Sequence, residues 1–189
     1  MLHSKTHPFP ELLTARLKLR ALEAADLELL FQLRSNPEIA KFTGRKLDQN
    51  KKATEIYYHK IQTGIKNNQS IYWVIQQKES PNLIGTVCLW NFDEEKQLAD
   101  LGYELFPAFQ KKGLMTEAVQ AVIAFSFDRL GLKQLFAVTN PANIASCKLL
   151  EKNNFEQDFS FKEADLDEQG KEIPLILFTC TNQNEGLEH

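Results

Sequence analysis

Apolar and polar residues alternate from Leu13 through Arg20, the two-residue period of a strand with one buried face. Behind it the spacing changes. Leu27, Leu30 and Phe31 fall at helical intervals within Glu23 to Leu33, and Ser35-Asn36-Pro37 ends that helix. A second helix is predicted over Ala53 to Lys66, carrying Ile56, Tyr57, Ile61 and Ile65, with Asn67-Asn68-Gln69 as its stop. Two β-branched and aromatic runs, Ile71 to Gln76 and Leu83 to Leu89, flank Glu79-Ser80-Pro81-Asn82 and read as a hairpin. Gly85 inside the second run predicts a bulge or a close backbone approach. A turn at Asp93-Glu94-Glu95-Lys96 leads into a further strand over residues 98 to 106, so three consecutive antiparallel strands are expected.

Pro107 stops that strand, and Gln110-Lys111-Lys112-Gly113-Leu114-Met115 leads into a helix expected from Thr116 to Leu130, with Gly131 as its cap. Val119 to Phe125 make the helix apolar on most sides, which suits a helix laid on a sheet and covered elsewhere. Gln134 to Thr139 reads as a strand parallel to 98–106, because a helix connects the two. Asn143 to Asn153 forms another helix, and Phe155 to Phe161 and Ile173 to Thr181 a final pair of strands across an acidic turn. The order predicts an α/β (α+β) domain over residues 1–186, with a mixed, mostly antiparallel sheet of about six to seven strands flanked by helices.

Composition narrows the picture. The chain has 189 residues, 43% of them hydrophobic, with 13 Phe, enough for one full core and too short for two ordinary domains. A net charge of -3 and a pI near 5.9 argue against a general nucleic-acid surface, which needs a basic face. Cys88, Cys147 and Cys180 stand among apolar neighbours at no metal-like spacing and read as buried free thiols of a reducing cytosol. The four His are scattered, so no metal site is expected. No run of 18 apolar residues and no signal-peptide core occur, so the expected location is cytoplasmic, away from membranes. Leu187-Glu188-His189 reads as the start of an expression tag.

The stretch from Leu98 to Ala118 carries the chemistry. A strand, a basic turn with one glycine and a helix start place unpaired backbone N–H groups, and the positive end of the helix dipole, in front of an anion such as a pyrophosphate. Neither G-x-x-x-x-G-K-[ST] nor G-x-G-x-x-G occurs, which removes the usual nucleoside triphosphate and dinucleotide loops. The stretch resembles the Q/R-x-x-G-x-G/A loop of the GCN5-related N-acetyltransferases, the GNAT superfamily. Pro107 followed by Gly113-Leu114-Met115-Thr116-Glu117-Ala118 is similar to its RimJ/RimL ribosomal-protein branch. So are the opening T-x-R-L-x-L-R from Thr14 to Arg20, the Asp26-Leu27 helix with Asn36-Pro37-Glu38-Ile39 behind it, and Asn143-x-x-Ser146 followed by Leu149-Leu150-Glu151-Lys152-Asn153-Asn154-Phe155. The resemblance spans residues 12 to 180.

It implies a GNAT fold whose parallel strands, 98–106 and 134–139, splay apart to admit the cofactor arm. It also implies acetyl-CoA as cosubstrate, held by Gln110, Lys111, Lys112, Gly113, Leu114, Met115 and Thr116 at the pyrophosphate, by the strand ending in Leu105 and Phe106 at pantetheine, and by Asn143 and Ser146 near the sulfur. Lys111 stands where the branch usually has glycine; if the backbone there is not left-handed, its side chain can point outward and add charge near a phosphate. Asn154 stands where the segment usually has glycine, and Asn is the next residue to tolerate a left-handed cap. The Tyr that many members use to protonate the departing thiolate aligns with Leu150, which leaves Ser146, directly or through water, as the local donor.

Glu104, Glu163 and Asp165 are the candidate bases, each also readable as a solvated surface carboxylate, and the backbone N–H of Leu105 or Phe106 is the candidate oxyanion donor. Asn143 is equally an ordinary N-cap with Ser146 in the first turn. Tyr57 and Tyr58, with the late acidic turn, are the expected acceptor contacts. The acceptor is a protein N-terminal amine, or a small amine such as a polyamine, an amino acid or an aminoglycoside; a non-catalytic CoA-binding module stays open, as do a monomer and a homodimer.

Overall fold

The computed structural model describes residues 6–42, 45–166 and 172–183. The chain opens with a two-residue strand β1 (Leu12–Leu13) that folds back on β2 (Leu17–Ala21). The single strand expected from Leu13 to Arg20 is therefore broken. Thr14 makes the turn, its N–H donating to the Leu17 carbonyl at 3.0 Å and its hydroxyl accepting from the Leu17 N–H at 2.9 Å. Helices α1 (Leu27–Arg34), α2 (Pro37–Ala40) and α3 (Lys51–Lys66) follow. Asn36 and Asn50 cap α2 and α3 through their side-chain oxygens.

Next come the expected meander, β3 (Ser70–Gln77), β4 (Leu83–Asp93) and β5 (Leu98–Leu105), then helix α4 (Leu114–Ala124) and strand β6 (Gln134–Thr139). Helix α5 (Ile144–Lys152) and strands β7 (Glu156–Asp158), β8 (Ala164–Leu166), β9 (Glu172–Pro174) and β10 (Ile176–Thr181) complete the described chain. One sheet runs β1-β2-β3-β4-β5-β6-β10-β7, with β5–β6 its single parallel pair, while β8 and β9 form a separate hairpin.

The sheet thus has eight strands rather than six or seven, β1 and the short β7 included. The expected strand from Phe155 to Phe161 stops at Asp158, whose carboxylate accepts from the N–H and hydroxyl of Ser160 and turns the chain. The run from Ile173 to Thr181 is shared between the hairpin and the main sheet. Helix α4 starts at Leu114 rather than Thr116 because Gly113, at φ 74°, serves as its N-cap. Its last part, Phe125–Leu130, widens into a π-helical turn.

Two apolar layers cover the sheet. One packs Trp73, Leu101, Leu135 and Phe178 against α4, and the other packs Leu30, Leu33, Tyr72 and Val74 between the sheet, α1 and α3. Trp73 is wholly buried, its ring edge-on to Phe125 at 5.7 Å and its N–H donating to the Pro10 carbonyl at 2.6 Å. Gly85 makes both the bulge and the close approach that its position predicts. The β3–β4 register slips beside it, and a Cβ there would stand 2.4 Å from the Glu104 carbonyl oxygen.

The N-terminal turn also braces α4. Glu117 accepts hydrogen bonds from the Thr14 hydroxyl at 2.6 Å, the Arg16 N–H at 2.7 Å and the Arg16 guanidinium at 2.6 Å. Burial works to raise its carboxyl, but these donors outweigh burial and hold it below the ordinary 4.5. A lowered carboxylate contributes stability that is present above the unfolded value and lost as pH falls through the folded one. Glu117→Gln is expected to cost about 2 kcal/mol at neutral pH. In denaturant titrations at a series of pH values, the gap between wild type and variant should close below the ordinary carboxylate range.

Candidate active site

The site is built where β5 and β6 part. They pair only at Leu98 with Gln134, Ala99 with Leu135 and Asp100 with Phe136. Beyond those residues β5 stays bonded to β4 as far as Leu105, and β6 to β10 as far as Thr139, so a wedge opens between them. The Phe106 N–H donates to the Ile84 carbonyl at 3.0 Å, which removes it as an oxyanion donor. Antiparallel alternation then turns the main-chain groups of Leu105 toward the wedge. Its carbonyl accepts from the Gln110 side-chain amide at 3.0 Å, and its N–H faces the opening.

After the short turn Pro107–Phe109 comes the basic loop. Lys111 has φ 59°, the left-handed conformation usual for glycine, so the condition of an ordinary backbone is not met. Lys111, Lys112 and Gly113 are exposed, whereas the side chains of Leu114 and Met115 are buried. The N–H groups of Leu114, Met115 and Thr116 belong to the first turn of α4 and have no intrahelical acceptor; that of Glu117 bonds the Gly113 carbonyl at 3.1 Å. From below, Arg16 donates to the Lys112 carbonyl at 3.0 Å, which ties the loop to the Glu117 brace. Together, the free N–H groups and two exposed lysines form a donor set suited to a pyrophosphate.

Across the wedge, Asn143 caps α5 by accepting from the Ser146 N–H at 3.2 Å. The Ser146 hydroxyl lies 2.8 Å from that of Tyr103, which projects from β5 beyond the parting point. Burial pushes the Tyr103 phenol up to about 12, so it stays protonated near neutral pH. Leu150 is fully buried in the core. Burial also raises the Cys147 thiol, which keeps it away from nucleophilic thiolate character. Asn154 adopts the expected left-handed cap at φ 61°. Sequence reasoning missed Tyr103, reading it only as one residue of a strand. The available signal was its position next to Glu104, which sends the two side chains to opposite faces.

The candidate carboxylates separate. Glu104 faces α1 and α3, and its Oε1 accepts from the Arg45 Nε at 2.8 Å. Arg45 also donates to the Arg34 carbonyl at 2.7 Å and the Leu33 carbonyl at 3.4 Å. Glu163 is exposed and lines a cavity of about 440 Å³ with Phe159, Phe161, Glu172 and Ile176. Asp165 lies on β8 opposite Ile173. The cavity that Glu163 lines includes none of Glu104, Tyr103 and Ser146, and no hydrogen bond or ion pair among the described residues joins it to them. Asp167 and Glu168 of the acidic turn, and the expected tag at 187–189, lie outside the described residues. Tyr57 lines a second cavity of about 660 Å³ with Ile61, Tyr72, Cys88 and Trp90, while the neighbouring Tyr58 does not. Burial pushes the Tyr57 phenol and the Cys88 thiol each to about 12.

A sheet opened between two parallel strands, with unpaired helix-start N–H groups on one side and a hydroxyl pair on the other, offers a slot suited to the extended arm of a CoA thioester. The chain belongs to the GNAT acetyltransferase family, since the sequence profile of the acetyltransferase (GNAT) domain matches residues 16–156. It is an N-acetyltransferase with acetyl-CoA as cosubstrate.

Among its relatives is the uncharacterized N-acetyltransferase YoaA of Bacillus subtilis (strain 168), 31% identical over 153 residues that cover 79% of this chain and 85% of that one. The spermidine N(1)-acetyltransferase of Vibrio cholerae is 26% identical over 78% of this chain and 86% of that one. Its fold matches that of spermidine N-acetyltransferase from Vibrio cholerae, solved with CoA and spermine, at a TM-score of 0.77 and 23% identity, covering 87% of this chain and 95% of that one. RimL, a ribosomal L7/L12 α-N-protein acetyltransferase solved with coenzyme A, matches at a TM-score of 0.79 and 17% identity, covering 91% and 98%.

Because Lys111 is held left-handed, Lys111→Gly is expected to relieve about 1 kcal/mol of backbone strain. The same substitution removes a charge beside the anion seat. Unfolding titrations should show a gain in stability, and titration with CoA should show weaker binding.

Proposed function

We propose that the protein transfers the acetyl group of acetyl-CoA by direct attack of a primary amine, and that the acceptor is a protein N-terminal α-amine of the ribosomal-protein kind. The observation that carries the transfer mechanism is the 2.8 Å hydroxyl pair of Tyr103 and Ser146 at the wedge. The choice of acceptor is supported by the RimJ/RimL-like motifs at Thr14 to Arg20, Gly113 to Ala118 and Asn143 to Phe155.

Acetyl-CoA supplies an activated thioester, and the chain's residues do the rest. The N–H groups of Leu114, Met115 and Thr116, with Lys111 and Lys112, hold the pyrophosphate, and Gln110 fixes the loop entry by its bond to the Leu105 carbonyl. The Leu105 N–H faces the carbonyl oxygen that gains charge during attack. Glu104, on the strand beside the wedge, takes the amine proton through water; Glu163, in the late turn, and Asp165, on β8, are the alternative bases. Tyr103, kept neutral by burial, returns a proton to the departing thiolate through Ser146. In this arrangement Tyr103 takes over a task for which Leu150 has no donor.

The relationship to spermidine N(1)-acetyltransferase favours a second acceptor class, small amines. A panel of N-terminal peptides and small amines, followed by release of free CoA thiol, separates the two. Acetyl-CoA at about a hundred times its Kd is expected to stabilise the fold by about 2.7 kcal/mol in thermal unfolding; no shift at saturation would sink the cosubstrate assignment. Binding without thiol release from any acceptor would leave a CoA-binding module. Ser146→Ala and Tyr103→Phe are each expected to slow turnover about a hundredfold with the acetyl-CoA shift retained. Their double variant should be little slower than either, because the two hydroxyls act as one unit.

A further inference from the structure

We infer that the acceptor side of the cleft selects amines that carry no second positive charge, and that Arg45 enforces this by cancelling the charge of Glu104. The inference rests on the acetyltransferase reading and names the chemical class of its acceptor.

Three observations lead to it. First, three carboxylates on the α1 and α3 side of the wedge are already engaged, two by arginines and one by an amide. Asp48 is held bidentately by Arg34, at 2.8 and 3.0 Å, and accepts from the Thr54 hydroxyl at 2.7 Å. Glu104 is held by Arg45 at 2.8 Å, and both side chains of that pair are largely buried, at 18% and 17% exposure. Asp100 accepts from the Asn91 amide at 2.8 Å.

Second, the cavity of about 660 Å³ between α3 and the sheet has walls of Tyr57, Ile61, Tyr72, Cys88 and Trp90. Its ionisable rim includes Lys60 and His59, and among the described residues no Asp or Glu lines it. Cys88 sits opposite Gly102 in the β4–β5 ladder and Thr86 opposite Glu104, so the cavity and Glu104 share one face of the sheet. An ammonium entering here leaves its water shell, meets Lys60 and finds no free carboxylate. The aromatic walls offer little in exchange. The Arg34 guanidinium lies 3.5 Å from the centre of the Tyr57 ring, and the Trp90 ring packs onto the sheet at Gly102.

Third, Arg45 is fixed independently of any substrate. Its remaining N–H groups bond the carbonyls of Leu33 and Arg34 at the C-terminal end of α1. It is therefore a positioning and specificity residue that acts through Glu104. The acceptor that fits has one amine and an uncharged, apolar body.

The test uses two matched acceptor pairs with the whole protein and saturating acetyl-CoA: n-pentylamine against cadaverine, and a short N-terminal peptide with Leu against the same peptide with Lys at its second residue. Wild type is expected to show a KM about tenfold higher for the doubly charged member of each pair. Arg45→Gln should bring the two KM values together, with kcat for the singly charged member changed less, and Arg45→Lys should restore the discrimination. Lys60→Gln, on the cavity rim and outside the transfer chemistry, should also narrow the gap, and it carries the test if Arg45→Gln fails to fold; an unmoved ratio there counts equally against the inference. Equal KM values in wild type, or a ratio unmoved in folded Arg45→Gln, would overturn the inference and leave acetyl transfer intact. No thiol release from any of the four amines, despite bound acetyl-CoA, would overturn the inference together with the acceptor reading on which it rests.

Discussion

Strand β5 is hydrogen-bonded along its length to β4, yet it meets β6 at only three residues, Leu98, Ala99 and Asp100. Each of the two strands has a full antiparallel partner on its outer side, and those partners pull them apart once the parallel pairing ends. The wedge therefore comes from competition between ladders, in which the longer antiparallel ladders prevail. In the middle of a sheet it exposes main-chain groups that a closed sheet would have paired. The basic loop and the Tyr103–Ser146 pair both depend on it, one extending from the end of β5 and the other spanning the opening.

The loop gains its rigidity from far away in sequence. Glu117 stands in the first turn of α4, where a carboxylate also complements the helix dipole, and it gathers donors from Thr14 and Arg16. Arg16 then reaches on to the Lys112 carbonyl. The basic loop and the free N–H groups at the start of α4 are thus held by the first hairpin of the chain. That hairpin forms because Thr14 turns it.

On the other face of β5, charge is arranged in closed pairs. Arg34 with Asp48 and Arg45 with Glu104 are half-buried or deeper, and each arginine also contacts another group, Arg34 the Tyr57 ring and Arg45 two helix-end carbonyls. Such pairs contribute less to net stability than to fixing where each charge sits, because desolvation offsets much of their attraction. Here they hold α1, α3 and the strand carrying Glu104 in one register. The face is left nearly neutral, with an apolar cavity beside it.

The periodicity of the chain by itself determined the meander, the helices and the strand-turn-helix order of the loop, since those features are local. Its motifs determined the family, and Gly85, Asn143 and Asn154 each announced a backbone geometry that the fold adopts. What only the tertiary structure decided are the pairings between distant residues. Tyr103 is an ordinary strand aromatic until α5 brings Ser146 within 2.8 Å, and Glu104 is an unpartnered strand carboxylate until Arg45, 59 residues earlier, engages it. The Phe106 N–H is an available donor until the Ile84 carbonyl accepts it. The backbone of Lys111 stayed open because one sequence states the residue but not its φ, which is 59° in the fold. Local patterns specify elements; which polar group finds which partner depends on how those elements pack.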